Sequence, residues 1–123
     1  MGMYTDFALK FSILKDDKDF DLIMSVIEHM TDINVDAPPT LPNHPFFRAS
    51  RWDMMARSGR SFIDNREYLS SVDIMLIGDF KNYEDEIAHF INWITPHLYD
   101  CLTGYSHYED SEHSTPYFAE AAE

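Results

Sequence analysis

The stretch Val72-Asp73-Ile74-Met75-Leu76-Ile77-Gly78-Asp79-Phe80-Lys81-Asn82-Tyr83-Glu84-Asp85-Glu86-Ile87-Ala88-His89-Phe90-Ile91-Asn92-Trp93-Ile94 changes period in its middle. Before Lys81 it is rich in β-branched and apolar residues, and Val72, Ile74, Leu76 and Phe80 share one face. This predicts a long central strand over Tyr68–Phe80. Met75 and Ile77 fall on the opposite face, which predicts that both faces are at least partly covered. After Asn82 the apolar residues Ile87, Phe90, Ile91, Ile94 and Leu98 recur at helical spacing. Asn82 is the expected N-cap. Pro96 should end or kink the helix near Thr95, with Thr103-Gly104 closing it. A strand feeding directly into an amphipathic helix packs on itself, so the rest of the chain is read outward from this unit.

Toward the N-terminus, Asp64-Asn65 and Ser58-Gly59 read as turns around a short strand, Arg60–Ile63. Arg48–Arg57 alternates, with Trp52, Met54 and Ala56 set against Arg51, Asp53 and Arg57, and predicts another strand. Thr31–Pro45 carries four of the six prolines and predicts an ordered Pro-rich loop (residues 31–45) whose end Phe46 and Phe47 pin. The chain opens with Met3, Thr5, Phe7, Leu9, Phe11 and Ile13 on one face of a strand. A helix follows, with stripe Phe20, Ile23, Met24, Ile27 and Met30, capped by Asp17 or Asp19. Toward the C-terminus, Tyr105–Glu109 reads as a last strand, Pro116–Phe118 as an edge, and 119–123 as a frayed tail. The order β-α-β-β-β-α-β in 123 residues predicts a single α+β domain over 1–123. Its expected form is ferredoxin-like, or a related antiparallel sheet with two helices packed on one face.

Charge narrows the function classes. Twenty-two acidic residues stand against nine basic ones, for a formal charge of −13. No Lys or Arg follows Lys81, while nine carboxylates do. Such a field repels nucleic acid and membrane phosphate and attracts basic protein surfaces. One cysteine, Cys101, excludes an internal disulfide and predicts an intracellular, cytoplasmic setting. No apolar run approaches the roughly 20 residues a bilayer requires, so no membrane partner is expected. Only four glycines are present, and no phosphate-cradling or nucleophile-elbow motif appears.

Several stretches carry chemistry-bearing side chains. His107-Tyr108-Glu109-Asp110-Ser111-Glu112-His113 mixes imidazole and carboxylate at spacings that match no standard metal site. His29-Met30-Thr31 and His113-Ser114-Thr115 repeat a His-x-Thr triplet. This resembles the two-histidine phosphoesterases, in which one imidazole acts as base and the other as acid. A small phosphodiesterase, or a domain sequestering a nucleotide signal, is therefore the alternative function. The sequestering reading predicts a pocket of Trp52, Phe62 and Tyr68. His89, Trp93 and His97 lie one helical turn apart and read as a flank of the core. Arg48, Arg51, Arg57, Arg60 and Arg66 are interleaved with aromatics and read as counter-charge to the acidic C-terminal third. The acidic surface is the leading candidate: Glu84, Asp85, Glu86, Glu109, Asp110 and Glu112, with Tyr105 and Tyr108 as aromatic anchors. No catalytic residue, metal or cofactor is assigned. A homo-oligomer is compatible with the aromatic content.

Arg51-Trp52, Gly59-Arg60-Ser61-Phe62, Asp79–Ile87, Phe90-Ile91-Asn92-Trp93-Ile94 and Gly104–Glu109 together resemble small acidic phage and prophage proteins of unassigned function. That resemblance implies a non-enzymatic inhibitor acting in the host cytoplasm. Its partner would be a host protein with a basic surface, in a nucleic-acid-handling defence complex of CRISPR or restriction type. The inhibitor would act as a DNA mimic that does not itself touch nucleic acid.

Overall fold

The computed structural model describes residues 3–121. The alternation that opens the chain becomes strand β1 (Thr5–Leu14), in which Phe7, Leu9, Phe11 and Ile13 are buried and the intervening residues are not. Strand β3 (Ser71–Phe80) pairs with it antiparallel over its whole length, from Thr5 opposite Phe80 to Leu14 opposite Ser71. This register puts Val72, Ile74 and Leu76 beside the buried face of β1. Strand β2 (Phe62–Asp64) adds to the outer edge of β3. Strand β4 (Cys101–Tyr108) pairs with the other side of β1, and β5 (Thr115–Glu120) closes that side. The result is one five-stranded antiparallel sheet in the order β2-β3-β1-β4-β5.

Helix α1 (Phe20–Thr31) buries Ile23, Met24, Val26, Ile27 and Met30. Helix α2 (Glu86–Ile94) buries Ile87, Phe90, Trp93 and Ile94. Both stripes join the inward residues of β1 and β3 in one core, so both helices cover the same face of the sheet. A short 3-10 turn at Thr95–His97, with Pro96 in its first turn, stops α2 where the proline removes a donor. Asn82 serves α2 from outside. Its Oδ1 accepts the Ile87 N–H at 3.2 Å, while the capping position itself is Asp85, in the left-handed region at φ 55°.

Three expectations are corrected. Arg48–Arg57 is not a strand. It follows a 3-10 turn at Pro45–Arg48 and runs as successive turns, with Met54 N–H bonded to the Arg51 carbonyl at 3.3 Å. Its buried residues are Ala49, Trp52, Met55 and Ala56, a helical spacing, and Met54 points outward. The segment fills the helix layer: Phe46, Phe47, Trp52, Phe90 and Trp93 form one aromatic cluster with centroid separations of 5.0–6.0 Å. Thr103 and Gly104 do not close a helix but lie inside β4. Ala119 and Glu120 are not frayed, because they pair with Leu102 and Cys101, and the Ala121 N–H reaches the Asp100 carbonyl at 2.8 Å. The last two residues of the expected tail lie outside the described residues. On the face of β3 away from the helices, Ile77 is half-buried, while Met75 and its β2 partner Phe62 are 37% and 62% exposed, so that face is partly covered, as expected. No described helix is long and apolar enough to cross a membrane.

Candidate functional site

The antiparallel register brings three strand ends together. Thr5 opens β1 between Phe80, which ends β3, and Tyr108, which ends β4. The acidic segments that follow β3 and β4, far apart in sequence, therefore arrive at one end of the sheet. Tyr83 and Tyr108 line a recess of about 260 Å³ there, together with Thr5, Ser106, His113 and Tyr117. Hydrogen bonds knit the rim. The Met3 N–H donates to the Tyr83 hydroxyl at 3.0 Å. The Tyr4 N–H donates to Glu109 Oε1 at 2.5 Å, and the Glu109 N–H returns to the Tyr4 carbonyl at 3.0 Å. Inside, the hydroxyls of Ser106 and Tyr117 are 2.8 Å apart. The walls are rich in hydroxyls, and no lysine or arginine lines them.

The expected partner-binding residues divide into three groups. Glu84, Asp85, Tyr108, Glu109, Asp110 and Glu112 are exposed around this end. Glu84 accepts from both the hydroxyl and the backbone N–H of Ser50, and these bonds hold its carboxyl below the usual range. Glu86 does not belong to the surface, since it is fully buried. Its two oxygens accept the Arg51 N–H at 3.2 Å and the Glu84 N–H at 3.1 Å, so its duty is to fasten the turn before α2 to the turns at Arg51. Tyr105 is exposed on the open face of the sheet, three residues from Tyr108 along a strand, and so on the opposite side from it. The two tyrosines cannot anchor the same partner surface.

Two acids outside the expected partner-binding set complete the acidic end. Asp6 and Asp79 are opposed across β1 and β3. The Asp79 carboxyl is pushed above its usual range by partial burial, by Asp6 beside it and by Glu109. Period two placed both on the polar side of their strands. Only the pairing register, a non-local property, sets them side by side.

The other candidates resolve separately. His29 Nδ1 lies 2.6 Å from the Val35 carbonyl and Nε2 3.5 Å from Arg57, whereas His113 lines the tyrosine recess, which His29 does not. Trp52 is in the core while Phe62 and Tyr68 are exposed, so the three do not form a common pocket. His107 Nε2 lies 2.8 Å from the Ser111 carbonyl. His97 meets Asp17 at 3.2 Å, and Asp19 brings a third donor atom, all within 4.8 Å of one another. These three side chains could hold a divalent ion. In the protein, Asp17 already accepts the Asp19 N–H ahead of α1. Of the five arginines in residues 48–66, only Arg66 forms a carboxylate pair among the described residues, at 3.0 Å to Asp64. Compared with protein-family models, curated proteins and solved structures, the chain matches none.

Proposed function

We propose that this chain is a non-enzymatic binding protein whose acidic end docks on the basic, nucleic-acid-binding surface of a partner protein. One observation carries the reading: the register sets Asp6 and Asp79 side by side within reach of Glu109, and delivers Glu84-Asp85 and Glu109-Asp110 with Glu112 to the same end of the sheet. Carboxylates held this way present a compact negative surface, which speeds encounter with a basic groove and selects against acidic partners. Exposed Tyr83 and Tyr108 supply amphipathic contact area within it. The resemblance to small phage proteins adds the setting, a host defence complex that handles nucleic acid.

The test is affinity capture from a bacterial lysate with the wild type, the charge-reversed E109K/D110K/E112K chain and the D110K/E112K chain. The double variant keeps the Glu109 bond to the Tyr4 backbone, so it separates charge from local folding. The wild type should retain a nucleic-acid-binding protein that double-stranded DNA and added salt displace. Both variants should lose about tenfold or more in affinity for it. Capture that survives charge reversal at low salt would overturn the proposal.

A further inference from the structure

A second, oppositely charged site stands beside the acidic end. Arg51, Arg57 and Lys81 line a groove of about 510 Å³ between the turns at 51–57 and the end of β3. Three of the nine basic residues of a chain with charge −13 thus converge on one place. None of them is spent on a carboxylate pair, for among the described residues those pairs are Arg66–Asp64 and His97–Asp17. Neutral groups hold them instead. The Arg51 guanidinium lies 5.3 Å from the Tyr83 ring centre, and the Lys81 ammonium 5.7 Å from that of Tyr4. Arg57 donates from Nη2 to the His29 carbonyl at 3.1 Å, and its Nε is buried without a partner. Arg51 also donates from Nη1 to the Ser50 hydroxyl at 3.3 Å, which in turn bonds Glu84, so Arg51 has an acid nearby, though it pairs with none directly.

The remaining walls are Asp79 and a set of uncharged side chains, of which Ile33 is 75% exposed, Met54 50% and Tyr4 45%. Met54 turns outward from a segment whose neighbours Met55 and Ala56 are fully buried. We infer that the groove binds a small organic phosphate of the size of a nucleoside monophosphate. Arg51, Arg57 and Lys81 would take the phosphate, and Ile33, Met54 and Tyr4 the planar, less polar body. Three cations converging on one wall suit the −1.5 to −2 charge of a phosphomonoester better than a single carboxylate. Guanidinium forks bind phosphate oxygens bidentately. The volume falls in the range of roughly 300–1,000 Å³ typical of small-molecule sites.

Calorimetric titration of the full chain with AMP, adenosine and inorganic phosphate tests this, independently of the acidic end. AMP should bind saturably with a Kd below about 1 mM, and adenosine and phosphate each about tenfold or more weaker. Arg57→Gln should weaken AMP about tenfold or more. Because Arg57 also braces the end of α1, Lys81→Met provides a second variant on a part-exposed side chain outside the core, with the same expected loss and an unchanged thermal midpoint. Absence of saturable AMP binding overturns the proposal. So does adenosine or phosphate binding as tightly as AMP, or a Lys81→Met chain that binds AMP as the wild type does.

Discussion

The tyrosine recess and the arginine groove lie side by side at one end of the sheet, yet they carry opposite charge. The recess is lined by hydroxyls with no lysine or arginine and is flanked in sequence by the acidic segments after β3 and β4, while the groove holds three cations and a single acid. Two aromatic rings form the border. Tyr83 lines the recess and supports Arg51, and Tyr4 lines the groove, supports Lys81 and binds Glu109 through its backbone. The recess is built from strand ends that the sheet holds directly. The groove depends on turns that have no regular hydrogen-bond ladder and are held by packing against the sheet and by Glu86. The two regions therefore differ in what would dislodge them.

The largest expected effect comes from separating the turns from the sheet. Gly78 sits on the inward face of β3, where a Cβ would run into the Met55 carbonyl and the Phe7 ring. Backbone cannot yield as a side-chain tip can, so Gly78→Ala should displace the segment carrying Arg51, Met54 and Arg57. The expected cost is about 3 kcal/mol, read as a lower urea midpoint. Amide exchange should rise at residues 51–57 and stay slow in β1 and β4. Equal acceleration in β4 would show that the two regions form one cooperative unit.

Glu86 tests the tie between them. Glu86→Ala strands the Arg51 and Glu84 N–H groups, one on each side of the border. A loss of about 2 kcal/mol is expected, with a smaller loss for Glu86→Gln, which keeps an acceptor. Asp110→Ala, an equal change of charge on the exposed loop, should stay within about 0.5 kcal/mol. A Glu86→Ala chain as stable as the Asp110→Ala chain would show that the buried carboxylate fastens nothing.

The contrast also explains what could be read from residues alone. β1, α1, β3 and α2 were legible because each buries one face, and burial imposes a period on the letters. The turns at 49–57 were misread because Trp52, Met54 and Ala56 alternate by chance. The buried set, Ala49, Trp52, Met55 and Ala56, follows helical spacing without a helix to announce it. The acidic segments were legible as composition. Their meeting was not, because it follows from Thr5 pairing with both Phe80 and Tyr108. Glu86 could not be told from Glu84 and Asp85 by type, since only tertiary packing buries it. The groove was hidden for the same reason: its arginines look like counter-charge until their partners prove to be rings and carbonyls.

The smallest effect lies on the border, at Asp79, which belongs to the acidic end and also lines the groove. Partial burial, Asp6 and Glu109 raise its carboxyl in the folded protein. The native state then holds that proton more tightly than the unfolded chain, whose value is about 3.9. Stability therefore falls as pH rises from that value through the raised folded one, and above this window the ionised group opposes folding in full. Asp79→Asn keeps the shape and removes the charge. Its thermal midpoint should exceed the wild type's at pH 7 and converge with it in acid. The gain should be a few tenths of a kcal/mol, since the side chain is largely screened by water. The same change takes the one negative charge from the groove, so AMP should bind more tightly. A midpoint at pH 7 no higher than the wild type's would mean that the acids at this end do not repel one another enough to matter. A higher midpoint without tighter AMP would confine Asp79 to the acidic side of the border.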